Sequence, residues 1–258
     1  MTELRDGLEA LYASSDVQGR LASDPVRFPR RFLDARDQEV AGLVAATFAF
    51  GRVDLFGPVL ERLLAAMGPS PRDWVDAYDG APLGAFEYRW LKARRLELFF
   101  AGLRDVLTKR GSLEAIAVEG FDGTAASSLE ALGQALGPEL ARPSKRSACK
   151  RMCMYLRWMV RPPIEGIDLG IWDLPASALV IPLDTHVSKI ARLLGLTARR
   201  TDGWATALDI TASLAELDPS DPVRFDFAIA HLGISGACIG RASEDHCPRC
   251  VLRACCSA

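Results

Sequence analysis

Hydrophobic residues recur at intervals of three or four along most of the chain, which places them on one face of an α-helix. Eight windows show this spacing: residues 40–48, 55–67, 96–107, 129–140, 152–159, 187–194, 205–217 and 225–232. Glycine and proline separate the windows, and none alternates apolar and polar residues as hairpin strands do. Only residues 178–182 resemble a strand, and a proline ends them. The pattern predicts an all-α protein of about ten helices.

The length and charge of the chain narrow the class of protein. Its 258 residues, 49% hydrophobic, are enough for one large or two small domains with a core. With 31 basic and 33 acidic side chains the net charge is −2, which excludes binding nucleic acid by bulk charge but allows a local basic patch. No signal peptide is recognisable, and the longest apolar stretch, residues 41–50, is too short for a membrane span. We expect a soluble, cytoplasmic protein that does not bind membranes.

Cysteine placement indicates a metal centre. Five of the seven cysteines lie in the last 21 residues, and Cys238, Cys247, Cys250 and Cys256 have the spacing C-x8-C-x2-C-x5-C. Four thiolates suit an iron–sulfur cluster or structural zinc. A single C-x2-C knuckle favours the cluster, because zinc ribbons usually have two. Cys255 is an alternative to Cys256 as the fourth ligand.

Two further features carry charge. Residues 142–161 contain seven cations and no acid, which predicts a surface for phosphates, with a solvated helix face as the alternative. Asp184 precedes a helical apolar pattern, so we predict that it caps a helix N-terminus. A carboxylate held there is a fixed negative charge that can stabilise a developing cation or accept a proton.

The order of these features resembles a known superfamily. A Leu-Asp-Thr-His-Val element at 183–187, a basic helix before it and a C-terminal four-cysteine loop occur in endonuclease III-type DNA glycosylases, of the helix-hairpin-helix–Gly/Pro/Asp superfamily. The resemblance covers about residues 37–258, and the chain is most similar to a bacterial branch of uncharacterised function. It implies catalytic roles for Lys150, as nucleophile, and Asp184, and a 4Fe-4S cluster, with zinc as the alternative, on the four cysteines. Lys145, Arg146, Arg151 and Arg157 of the cationic run become the expected DNA contacts.

The resemblance also implies an architecture and an activity. One lobe is a helical barrel of residues 37–160, and the other combines residues 1–36 with 161–258. Double-stranded DNA is expected across the junction of a monomer that excises a damaged, flipped base, with or without lysine-mediated strand cleavage. There are two alternatives to a glycosylase: a non-catalytic protein that binds DNA structures, and a zinc-stabilised protein that acts on RNA.

Two departures from the superfamily stand out. Arg146 and Ala148 occupy the positions of two hairpin glycines, so the turn can keep its shape only by tolerating strain. About fifteen extra residues, 162–176, separate the lysine from the aspartate. They form either a cap or pocket wall, or a surface loop with a buried Trp172.

Overall fold

The computed structural model describes residues 2–137, 140–163 and 166–257, and within these ranges it is helical, with no β-strand and one isolated bridge between Tyr88 and Leu91. All eight apolar windows lie in or over helices, so the all-α prediction is confirmed. The helices are α1 (Thr2–Ala13), α2 (Val17–Leu21), α3 (Ala35–Phe48), α4 (Val53–Met67), α5 (Pro71–Asp76), α6 (Ala93–Arg110), α7 (Leu113–Glu119), α8 (Ala125–Leu136), α9 (Lys150–Val160), α10 (Thr185–Leu193), α11 (Trp204–Ala215) and α12 (Asp226–Ile234).

Helix α3 lies at the centre of the core, buried over nearly its whole length. It packs against α9, and Gly42 permits the close approach, since a Cβ there would stand 2.8 Å from Met159 Cε. Two buried acids of α3 bind the starts of other helices. Asp37 accepts the backbone N–H of Arg72 in α5 at 2.9 Å, and Glu39 accepts that of Glu114 in α7, also at 2.9 Å. These bonds satisfy N-terminal donors that helices leave unpaired.

In the window 55–67, Leu55, Val59, Leu63 and Met67 have the spacing of one helix face and predict the buried stripe of α4, but the structure buries a different row. The helix forms over the expected window, but Leu55 is 49% exposed. The buried stripe consists instead of Phe56, Leu60, Leu63, Leu64 and Met67. The prediction was wrong at the N-terminal end because both rows of residues have helical spacing, and only the position of the neighbouring helices selects one.

The extra segment after α9 packs against the core. The backbone N–H groups of Leu169 and Ile171 donate to the carbonyls of Trp158 and Met159, at 2.8 and 2.7 Å, where α9 ends. Trp172 is buried edge-on against Tyr155 and donates its Nε1–H to Glu39 at 3.0 Å. Of the two expected forms, the described part of this segment matches the loop with a buried tryptophan, since it packs on α9 and does not line the cysteine cavity described below.

The two ends of the chain meet. Arg224, just before α12, donates to both oxygens of Glu9 in α1, at 2.7 and 2.8 Å. Gly7 of α1 faces the C-terminal turn, where a Cβ would stand 3.1 Å from Cys255 Sγ. The division into two lobes stays a prediction. Across the described ranges, no helix combines the length and apolar character that crossing a membrane requires.

Candidate functional site

Lys150 and Asp184 face each other between the starts of two helices. Lys150 is the first residue of α9, and Asp184 caps α10, as predicted: its Oδ1 accepts the backbone N–H groups of His186 and Val187, each at 2.9 Å. The second oxygen, Oδ2, lies 3.7 Å from Lys150 Nζ. That distance makes an ion pair but exceeds a good hydrogen bond. The side chains are 37% and 20% exposed, so a ligand can reach both.

The turn before α9 adopts the backbone conformation that glycine usually supplies. Arg146 has φ +58° and ψ +13°, and Cys149 has φ +52° and ψ +25°, both left-handed. Arg146, at the first of the two positions where the superfamily has hairpin glycines, is therefore left-handed without being glycine. The second left-handed residue is Cys149 and not Ala148. A left-handed residue other than glycine costs about 1–2 kcal/mol, so this turn is strained.

The cationic run divides into an exposed and a buried half. Lys145 and Arg146 are exposed, and Lys150 follows them. Arg151 is half-buried: it donates to the carbonyl of Thr47 at 2.7 Å and stacks on Trp90. Its side chain therefore joins α9 to the end of α3. Its guanidinium is less accessible to a phosphate than the charged groups of Lys145 and Arg146 are.

Arg157, expected to contact DNA, is only 5% exposed. Its Nε donates to Asp168 at 3.1 Å, and its Nη1 contacts Asp226. Arg161 is buried with it and binds Asp168 at 3.2 Å and Asp221 at 2.6 Å. The prediction for Arg157 was wrong, because acids from two other parts of the chain neutralise and cover this half of the run.

The four predicted cysteine ligands line one cavity. Cys238, Cys247, Cys250 and Cys256 surround a small cavity that opens to solvent. The loop that holds them packs on α10: Gly240 lies against the side chain of Lys189, and the N–H of Ser257 donates to the carbonyl of Leu193 at 2.9 Å. The helix that Asp184 caps therefore also supports the cysteine loop.

Hydrogen bonding distinguishes Cys255 from the four. The sulfurs of Cys238 and Cys247 accept backbone N–H groups from Gly240 at 3.4 Å and from Ser243 at 3.3 Å. Cys255 instead donates its S–H to the carbonyl of Leu252 at 3.3 Å and does not line the cavity. As the side chains stand, no group of three or more Cys, His, Asp or Glu within the described ranges is arranged to hold a metal ion. Four sulfurs are a donor set that a thiolate-bound centre could use, and of Cys255 and Cys256 it is Cys256 that lines the cavity.

One acidic residue near the site was missed by the sequence reasoning. Asp226, the first residue of α12, is 3% exposed and contacts Arg157 through Oδ2. Its other oxygen, Oδ1, is buried with no hydrogen-bond partner among the described residues. The only sequence signal was an aspartate at the start of the strongly apolar window 225–232, where burial is expected.

The fold and site define an all-helical protein. A lysine–aspartate pair lies where α9 and α10 begin, and the loop that forms the cysteine-lined cavity packs on α10. The sequence profile of DUF2400, a family described as proteins of unknown function, matches residues 24–235. The chain therefore belongs to the DUF2400 family. The match includes Lys150, Asp184 and Asp226, and the four cysteines follow it. Neither the curated proteins nor the solved structures contain a match to this chain.

Proposed function

We propose that this protein is a DNA N-glycosylase of the helix-hairpin-helix–Gly/Pro/Asp type, with lyase activity from Lys150, acting on a damaged base flipped out of double-stranded DNA. The observation that carries the proposal is the approach of Lys150 Nζ to Asp184 Oδ2, 3.7 Å apart and partly exposed. A paired amine and carboxylate can divide the work of breaking an N-glycosidic bond.

The chemistry assigns one task to each group. Asp184 accepts a proton from the Lys150 ammonium, and the neutral amine attacks C1′ of the flipped nucleotide. The N-glycosidic bond breaks, and the base leaves with its electron pair and takes up a proton. Opening of the sugar ring then leaves the lysine nitrogen and C1′ joined as a Schiff base. The proton that the leaving base takes up is the one that Asp184 accepted from Lys150, and O4′ of the sugar takes the proton that the attached nitrogen loses.

The surface beside the pair suits a DNA backbone. Lys145 and Arg146 stand exposed on the strained turn, five and four residues before Lys150 in the chain. Cations so placed bind phosphates by charge and by release of counterions. The other two expected DNA contacts are less available to a phosphate. Arg151 already binds the carbonyl of Thr47 and stacks on Trp90, and Arg157 is buried.

A 4Fe-4S cluster is the group that we propose for the cysteine cavity. Cys238, Cys247, Cys250 and Cys256 would hold it, and backbone N–H groups already donate to two of these sulfurs. When bound, the cluster supplies rigidity to the loop. Arg241 and Arg249 project from that loop and are exposed, so ordering it presents two more cations to DNA.

Borohydride trapping tests the proposal. Duplexes that contain an abasic site or one of a panel of damaged bases are incubated with the protein and borohydride, which reduces a Schiff base to a stable bond. We expect a covalent adduct with the wild type and none with Lys150→Ala. Lys109→Ala, at an exposed lysine in the last turn of α6, is the matched control and should form the adduct. DNA binding with no adduct on any duplex would instead support a non-catalytic binder.

The substitution Asp184→Asn separates the two roles of the aspartate. Asparagine caps helices about as well as aspartate, so the stability should change by only a few tenths of a kcal/mol. The negative charge beside Lys150 is lost, so base release should fall by roughly a hundredfold or more. Unchanged base release in a folded Asp184→Asn variant would contradict the proposed role.

A further inference from the structure

A second cavity, a groove, lies between α10 and the chain at the end of α12. His186 and Lys189 of α10 line it, together with Gly233 of α12 and Gly240 of the loop that follows. Its space of about 210 Å³ opens to solvent and is far larger than the roughly 10–15 Å³ that one water molecule needs. The cysteine cavity is its neighbour, since Cys238 lines both. The groove is therefore large enough for a ligand of several atoms.

Glycine allows the backbone around this groove to touch the side chains of α10. A Cβ at Gly233 would stand 2.6 Å from Cβ of His186, and a Cβ at Gly240 would stand 2.8 Å from Cδ of Lys189. Real Cβ atoms do not come so close, so any other residue at either position would push these side chains aside. His186 therefore packs on the backbone of α12, and the stem of Lys189 packs on the loop, although both residues are exposed.

The charge of the groove suits an anion. His186 and Lys189 are three residues apart and so lie on one face of α10, and no acidic residue is among the described residues that line the groove. Within the described chain, neither side chain forms an ion pair. The remaining lining is glycine, isoleucine and Cys238, which offers a nucleobase no ring to stack on. An ammonium and an imidazole N–H with no carboxylate between them are donors that a phosphate accepts.

The groove begins beside the lysine–aspartate pair. The backbone N–H of His186 donates to Asp184 Oδ1 at 2.9 Å, and Lys189 lies about one helical turn further along α10. An anion in the groove therefore lies within about one to two helical turns of the capping carboxylate. Lys150 and two backbone N–H groups partly neutralise that carboxylate, which limits its repulsion of the anion.

We propose that this groove binds a backbone phosphate of the strand that carries the flipped nucleotide, through the ammonium of Lys189 and the ring N–H of His186. Lys145 and Arg146, before α9, are the other exposed phosphate contacts. Because α9 and α10 also carry the lysine–aspartate pair, phosphate contacts from both helices fix C1′ relative to that pair. The identity of the anion as DNA rests on the proposed function, whereas the anion site itself does not.

Neutral phosphates test the contact with DNA. In duplexes that contain an uncleavable abasic analogue, one phosphate at a time is replaced by an uncharged methylphosphonate, and Kd is measured for the wild type and for Lys189→Gln. Glutamine keeps much of the stem that packs on Gly240 but removes the charge. Lys189→Gln should weaken binding of the unmodified duplex roughly tenfold, and should lose this effect at one replaced phosphate beside the abasic nucleotide. Lys109→Gln, at an exposed lysine in the last turn of α6, is the matched control and should bind every duplex as the wild type does.

Inorganic phosphate tests the site without DNA. At constant pH and ionic strength, NMR follows the ring protons of the three histidines as phosphate replaces chloride, and substitution to glutamine assigns the His186 signal. That signal should shift in the wild type and not in Lys189→Gln. No shift at His186 would overturn the anion site. A shift at His186, combined with a loss in Lys189→Gln that is the same at every replaced phosphate, would refute the contact with DNA. Failure to bind any duplex would refute the proposed function itself, and the His186 signal would then decide the anion site alone.

Discussion

Arg146 offers a direct test of the strained turn that precedes α9. Its backbone is left-handed, at φ +58°, and its side chain is exposed. Substitution to glycine removes the clash between Cβ and the backbone that makes this conformation costly. Substitution to alanine removes the same side chain but keeps Cβ. The difference between Arg146→Gly and Arg146→Ala therefore isolates the backbone strain from the loss of charge.

The expected difference is small but measurable. A left-handed residue other than glycine costs about 1–2 kcal/mol in the folded state. Glycine returns about 0.4–1 kcal/mol of this through the greater freedom of the unfolded chain. Arg146→Gly should therefore be more stable than Arg146→Ala by about 0.5–1 kcal/mol. In a domain of this size, that corresponds to a Tm higher by roughly 2–3 °C.

Urea unfolding followed by circular dichroism provides the measurement, with Lys145 as the matched position. Lys145 is exposed, one residue earlier, and lies in a right-handed 3₁₀ turn, Pro143–Lys145. There glycine should be less stable than alanine by about 0.5–1 kcal/mol. The opposite signs at two adjacent residues are the expected result. If glycine is less stable than alanine at both positions, the left-handed turn at Arg146 is refuted. The likeness of this turn to a glycine hairpin is then refuted with it.

Three further predictions concern the buried charges and the cysteines. Arg157→Ala should destabilise the protein by about 3–5 kcal/mol in urea unfolding, because it removes the cation that Asp226 contacts and leaves Asp168 paired with Arg161 alone, yet it should not change the salt dependence of DNA binding. Cys256→Ser should lose bound iron and visible absorption, whereas Cys255→Ser should keep both in metal analysis. Burial raises the pKa of Asp226 to about 6, so the free energy of unfolding of the wild type, relative to Asp226→Asn, should fall by about 3 kcal/mol between pH 4 and pH 6. The folded state holds the Asp226 proton more tightly than the unfolded chain, so this stabilisation is complete below pH 4 and lost above pH 6; a flat difference would contradict the raised pKa.

The parts of this structure that the sequence predicts are those set by local spacing. Every apolar window forms a helix, and Asp184 caps α10, because periodicity and capping depend on residues within about one turn of each other. The four cysteine ligands share one cavity for a similar reason, since they lie within 19 residues. Short chain distances leave few alternative arrangements.

What escaped prediction depends on partners far away in the chain. The run of cations had no acid among its own residues, but Asp226 neutralises Arg157 from 69 positions away. The left-handed conformation of Cys149 was equally hidden, because the resemblance pointed to Ala148 at the second glycine position. Sequence spacing identifies which residues carry charge, and only the fold decides which charges reach solvent.

The division of the cationic run also explains how Lys150 is held in place. A buried ion pair contributes little net stability over apolar packing, because desolvation offsets the attraction. Its bonds are directional, however, and Arg157 joins α9 at once to the segment after it and to α12. Because α12 contacts α10, the same arginine fixes the start of α9, which carries the amine, relative to the helix that carries the carboxylate. An apolar residue at position 157 would fill the space without fixing that angle, and the proposed attack on C1′ would tolerate little displacement of the amine. The buried half of the run therefore serves the exposed half through geometry, even though it never meets a phosphate.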